Sequence, residues 1–144
     1  MKYLMLLLFL VSINAQLFAQ ETDSTYSNGN RKYSVSNQNG EYTAYYESGK
    51  ILSKVNLLNG LKHGEYVEYF ESGEILRNEK WVNGKRHGES LEFYLNGQIR
   101  MKTNYIDGVL EGDYSIYYEN GQLQTKSQYK NYQETGLRID YFEN

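Results

Sequence analysis

Glycine recurs in this chain on a clock of 24 residues. Gly40, Gly64, Gly88, Gly112 and Gly136 keep that step, Gly49, Gly73, Gly97 and Gly121 repeat it nine places later, and Gly60, Gly84 and Gly108 eleven beyond that, so twelve of the 13 glycines share one register. A period of this size marks a supersecondary unit that gains stability by stacking on its neighbours. The remaining glycine, Gly29, sits in Tyr26-Ser27-Asn28-Gly29, a copy of Tyr118-Glu119-Asn120-Gly121, but lies 11 residues before Gly40 where later copies have 15. It marks a shortened first repeat.

Aromatic residues keep the same time: Tyr45-Tyr46, Tyr69-Phe70, Phe93-Tyr94, Tyr117-Tyr118 and Tyr141-Phe142, with a further large residue at Leu57, Trp81, Tyr105 and Tyr129. Within one unit, Gly64 to Glu71 is rich in strand formers, Ser72-Gly73 offers a turn, and Glu74 to Val82 returns. Asn96-Gly97 and Asn120-Gly121 at the same turn predict a two-residue type I′ loop, in which both central residues need positive φ. A second turn follows at Asn59-Gly60, Asn83-Gly84 and Asp107-Gly108, closed by His63-Gly64, His87-Gly88 and Glu111-Gly112. Helix is disfavoured at this glycine density. The expected fold is all-β, tandem 24-residue β-hairpins making one elongated, twisted antiparallel sheet, each repeat advancing it by roughly 10 Å. Along Gly64 to Glu71, Tyr66, Glu68 and Phe70 face one way and Glu65, Val67, Tyr69 and Glu71 the other, so neither face is wholly apolar. Sixteen tyrosines suit such a single layer, with rings buried against cross-strand neighbours and hydroxyls expected in solvent.

The first 19 residues read differently. Lys2, the apolar run Tyr3 to Ile13 and the segment Asn14 to Ala19 have the three-part form of a secretory signal, too short for a bilayer-spanning helix. The expected organisation is therefore a signal at 1–19 cleaved near Ala19, a leader with the shortened repeat at 20–39, and repeats at 40–63, 64–87, 88–111 and 112–135, with half a repeat at 136–144. The expected location is periplasmic or secreted. With 15 Lys+Arg against 18 Asp+Glu, and a net charge of −3, the chain is unsuited to nucleic-acid binding by bulk positive charge. No cysteine is present, which removes disulfides, thiolate metal sites and a cysteine nucleophile from consideration.

The unit Gly-Glu-Tyr-x-x-Tyr-Phe-Glu-Ser-Gly-Glu-Ile-Leu, followed by Trp-Val-Asn-Gly-Lys-Arg-His-Gly, resembles the variant form of the MORN repeat (membrane occupation and recognition nexus), best at Gly64 to Gly88. The resemblance implies serial β-hairpins in an elongated sheet and a scaffold or recognition role, sometimes near membranes. Many bacterial members carry an antitoxin-type label. Lipid binding is not supported by charge, because Lys62, Lys85 and Arg86 give way to Val109-Leu110-Glu111 and then to Gln133-Glu134. Tyr132 replaces the expected turn glycine in the fourth repeat.

Chemistry is sparse. His63 and His87 share one repeat offset, about 10 Å apart, too far for joint metal ligation, and read as loop residues satisfied by nearby backbone. Ser48 and Ser72 sit at turn tips, and acids such as Glu65, Glu68, Glu71 and Glu74 read as a solvated face rather than a hydrolytic pair. No catalytic residue, cofactor or metal is expected. The expected function is a non-catalytic interaction or scaffold module. The alternatives are an antitoxin- or immunity-type protein neutralising a partner protein, and a carbohydrate-binding protein or hydrolase. The candidate binding surface is the aromatic series Tyr69, Trp81, Phe93, Tyr105, Tyr117 and Tyr129, with a patch expected where Tyr69, Phe93 and Tyr105 surround Trp81. The same rings also serve to hold a sheet together. A protein partner is expected, and Leu137, Ile139 and Tyr141 mark a candidate edge strand within Gly136 to Asn144, suited to strand addition or self-association.

Overall fold

The computed structural model describes residues 23–35 and 38–143, so the expected export signal at 1–19 lies outside the described residues. The strands are β1 (Asp23–Thr25), β2 (Arg31–Val35), β3 (Gly40–Tyr45), β4 (Ile51–Leu58), β5 (Leu61–Tyr69), β6 (Ile75–Val82), β7 (Lys85–Phe93), β8 (Ile99–Ile106), β9 (Val109–Leu110), β10 (Gly112–Tyr117), β11 (Leu123–Lys130) and β12 (Gln133–Asp140). They lie side by side in chain order in one sheet, β9 being a short piece on β8 just before β10. All pairs are antiparallel, so the chain is the expected hairpin meander.

Glycine periodicity has a backbone cause: all thirteen glycines have positive φ. The turns that take the type I′ form are Asn59-Gly60 (φ 53° and 75°), Asn83-Gly84 (49° and 78°) and Asp107-Gly108 (50° and 87°). The turn at Asn96-Gly97 differs from expectation. Tyr94 N–H donates to Gln98 O (2.8 Å) and Gly97 N–H to Tyr94 O (3.0 Å), a longer loop in which only the glycine is left-handed. Asn96 serves there through its side chain, accepting from Gln98 N–H at 2.9 Å and donating to Glu119 O of the next repeat at 2.9 Å. Asn120 likewise accepts from Gln122 N–H and reaches Glu143. The leading glycine also has another role than closing a turn. Gly64 (φ 85°) lies inside β5, where the register slips between Tyr66↔Val55 and His63↔Asn56, leaving a bulge that an L-residue would strain. In the fourth repeat, Asn131-Tyr132 keeps the positive-φ turn (51° and 62°) without glycine, and the Tyr132 hydroxyl donates to Gly108 O.

Little apolar material is buried. Among the described residues the buried set is Val55 with Thr43, Ser53, Glu79, Ser90, Glu92, Thr103, Ser115, Thr125 and Ser127. Cross-strand register places all of these except Thr43 and Ser115 on one face, small or hydrogen-bonded groups beneath long neighbours. Cohesion between repeats comes from hydrogen bonds at both ends of the strands. At one end the turn N–H of Gly84 donates to Lys62 O (2.8 Å), and that of Gly108 to Arg86 O (2.8 Å). At the other, the second tyrosine of each pair donates to the first aromatic's carbonyl one repeat on: Tyr46 to Tyr69 O (2.7 Å), Tyr94 to Tyr117 O (2.7 Å) and Tyr118 to Tyr141 O (2.8 Å). Those hydroxyls are therefore structural donors, not solvated tips. Phe70, with no hydroxyl, interrupts the series.

Candidate functional site

Alternation along the strands divides the six predicted aromatics. Trp81, Tyr105 and Tyr129 lie opposite Gly64, Gly88 and Gly112 at the type I′ end of the sheet, on the face that carries Tyr66 and Arg77. Tyr69, Phe93 and Tyr117 follow Glu68, Glu92 and Ile116, which belong to that face, so their rings fall on the opposite one, near the longer loops. The expected patch with Tyr69 and Phe93 around Trp81 is thus not assembled. What surrounds Trp81 comes from other positions.

Lys62 pairs with Leu57 and Arg86 with Trp81, which brings both cations onto the Trp81 face. The Lys62 ammonium stands 4.2 Å from the Tyr66 ring centre and 4.6 Å from that of Trp81. The Arg86 guanidinium lies 5.7 Å from Trp81 and 5.0 Å from Tyr105, donating to the Tyr105 hydroxyl at 3.1 Å. Tyr66 meets Trp81 edge-on at 6.4 Å. The glycines opposite Trp81 and Tyr105 have open space where a Cβ would stand, so it is their positive φ, which makes the bulges, that calls for glycine there. Sequence reading found Trp81 and Tyr105 but missed Tyr66, Lys62 and Arg86 as their neighbours, since the contacts are cross-strand.

Beneath the rings runs an ion-pair network. Glu79, only 2% exposed, accepts from Trp81 Nε1–H (2.9 Å), while Arg86 Nε stands 3.2 Å from its other oxygen. Arg77 lies between Glu68 (3.3 Å) and Glu92 (3.4 Å), and Arg100 Nε donates to Glu92 at 2.8 Å. Some acids expected at a solvated face are therefore interior here, held by arginines from adjacent strands. Burial works against the Arg77 charge, yet Glu68, Glu92 and Glu79 outweigh it and hold its pKa above the ordinary value. Burial lowers the Lys62 pKa, opposed by Glu79 and reinforced by Arg86. Burial raises that of Tyr66, helped by Glu68, so the phenol stays neutral beside the cation. Next to the rings is a shallow depression of about 410 Å³ lined in part by Tyr42, Val55, Leu57, Lys62 and Tyr66.

The histidines also differ from expectation. His87 Nδ1 is 3.3 Å from Asp107 Oδ1, a side-chain partner, and His63 Nδ1 is buried without a hydrogen-bond partner. Among the described residues no group of three His, Asp or Glu side chains is placed to hold a metal ion. A surface of fixed cations and rings over neutralised acids can grip a partner that offers carboxylates and apolar groups together.

The sequence model of the MORN repeat variant matches four tandem stretches, residues 38–59, 62–83, 86–107 and 110–131. No curated protein matches the chain.

Proposed function

This chain belongs to the MORN repeat variant family, whose repeats generally mediate interactions with proteins or membranes, and from that premise we propose that it is an exported, non-catalytic module holding a protein partner on the Trp81 face. One observation carries the reading: three successive repeats contribute Lys62 from the first, Tyr66, Trp81 and Arg86 from the second, and Tyr105 from the third to a single continuous patch. Aromatic and arginine side chains are the types that dominate interface energetics. The same repeat position carries Leu110 and Glu134 in the third and fourth repeats where Lys62 and Arg86 stand earlier, which confines the patch to the middle of the sheet. Export rests on the signal-like segment Met1 to Ala19.

The test is affinity capture from the native envelope with the processed protein and its Trp81→Ala variant. The proposal expects wild type to retain a partner that the variant loses, with unchanged circular dichroism. Loss of sheet structure in the variant would assign Trp81 to folding instead. A captured toxin would move the reading toward immunity, and a captured glycan toward carbohydrate binding.

A further inference from the structure

The last strand departs from the repeat in a specific way. Where internal units carry Glu41, Glu65, Glu89 and Asp113 just after the leading glycine, β12 carries Leu137, which is 78% exposed. Sheet edges ordinarily carry charge to discourage pairing. Here the acid is kept inside the sheet and dropped at its rim. β12 is paired on one side only, with β11, and no strand among the described residues covers the other side. Leu137 and Ile139 of β12 and Tyr141 just beyond it alternate with Arg138 and Asp140, so ring and aliphatic groups share one face and the two charges the other.

This stretch is self-complementary. Read outward from Ile139, the order is a charge, then an apolar residue, with Arg138 on one side and Asp140 on the other. The backbone fixes which pairings are allowed. Tyr141 N–H donates to Gln124 O at 2.8 Å, so residues 139 and 141 turn their polar backbone groups toward β11, and 138 and 140 turn theirs outward. An antiparallel second copy must match outward residues with outward residues. Centring on Arg138 would set arginine against arginine, and centring on Asp140 aspartate against aspartate. Centring on Ile139 sets each Arg138 against the other copy's Asp140, Leu137 against Tyr141, and Ile139 against itself.

We propose that this protein forms a two-fold symmetric dimer by antiparallel pairing of β12 with β12 of a second copy, in the register centred on Ile139. Arg138 and Asp140 of one copy exchange main-chain hydrogen bonds with Asp140 and Arg138 of the other, joining two sheets into one. The neighbouring registers set like charges of the two copies against one another and are rejected, a device of specificity as well as attraction. Arg138 Nε donates to both oxygens of Asp140 at 3.1 Å, and Asp140 also accepts from the Thr125 hydroxyl of β11 at 2.8 Å, so the two charges lie together on one face of the edge strand. The interface is separate from the Trp81 face, so either proposal can fail without the other.

Sedimentation velocity of the processed protein at about 100 μM, where a micromolar dimer is populated, tests it. Wild type is expected to be dimeric. Arg138→Asp and Asp140→Arg each place like charges opposite one another, and each variant alone is expected to dimerise at least about tenfold more weakly. Mixing the two variants restores opposite charges at both pairs and is expected to restore the dimer. The chain has no cysteine, so Ile139→Cys supplies one thiol per copy beside the two-fold axis and is expected to cross-link under oxidation. Leu137→Cys puts its thiols four residues out of step, roughly 13 Å apart, and is expected not to cross-link. A wild type that stays monomeric, a mixture that stays monomeric, or cross-linking through position 137 rather than 139 would each overturn the proposal.

Discussion

Removing one hydroxyl from the tyrosine series is expected to weaken the junction between two repeats while leaving every ring in place. In Tyr94→Phe the lost bond is the 2.7 Å contact from the hydroxyl to Tyr117 O, made in a part-buried setting. A net hydrogen bond of this kind contributes about 1 kcal/mol, which lowers Tm by roughly 4 °C for a domain of this size. The reverse change is more telling. Phe70 occupies the same repeat position between Tyr46 and Tyr94, so Phe70→Tyr supplies the missing donor for Phe93 O and is expected to raise stability by about 0.5 to 1 kcal/mol. Alkaline pH checks the equivalent contact of Tyr46 to Tyr69 O independently. Burial, followed by Glu68 and Glu71, raises the Tyr46 pKa above its ordinary value. Its contribution is thus fully present below the unfolded tyrosine pKa of about 10 and is lost as pH climbs through the folded value. Wild type should lose stability in that window by more than Tyr46→Phe does. Urea unfolding followed by circular dichroism, with unchanged m-value, reads all three variants. If Tyr94→Phe costs nothing and Phe70→Tyr gains nothing, the hydroxyls do not hold the repeats together.

Two further substitutions address the turns and the network. Tyr132 has a φ of 62°, a conformation costing an L-residue about 1 kcal/mol or more, so Tyr132→Gly is expected to stabilise the fourth repeat slightly despite losing its contact to Gly108 O. Thermal unfolding of the two proteins decides it, and a clear loss in the glycine variant would show that the ring outweighs the backbone. Glu79→Ala strips the buried partner from Arg86 and Trp81 and is expected to cost about 3 kcal/mol, against under about 0.5 kcal/mol for the exposed Glu65→Ala. Equal urea midpoints for the two variants would refute an interior role for Glu79.

The hairpin meander was legible because it depends on local backbone requirements. Positive φ at fixed places needs glycine, and every glycine of the 24-residue register has it. Asn59-Gly60 and its copies announced a turn without any knowledge of what lies across the sheet. Asn96 was misread at the same level, since an asparagine before glycine can serve through its backbone or its amide, and only the position of Glu119 O one repeat away selects the amide.

Neighbourhood was decided by tertiary structure. The bulges at Gly64 and Gly88 insert residues into the pairing, and each such slip changes which side chains end up opposite one another. That is why Lys62 and Arg86 join Trp81, whereas Tyr69 and Phe93 part from it by alternation along their strands. Glu79 and Glu92 likewise look like solvent residues in an alternating strand, yet the register places Arg77 beside both and makes their burial tolerable. A repeat's own residues dictate the bends of its chain. Which charges and rings meet depends on how one bent strand counts against the next.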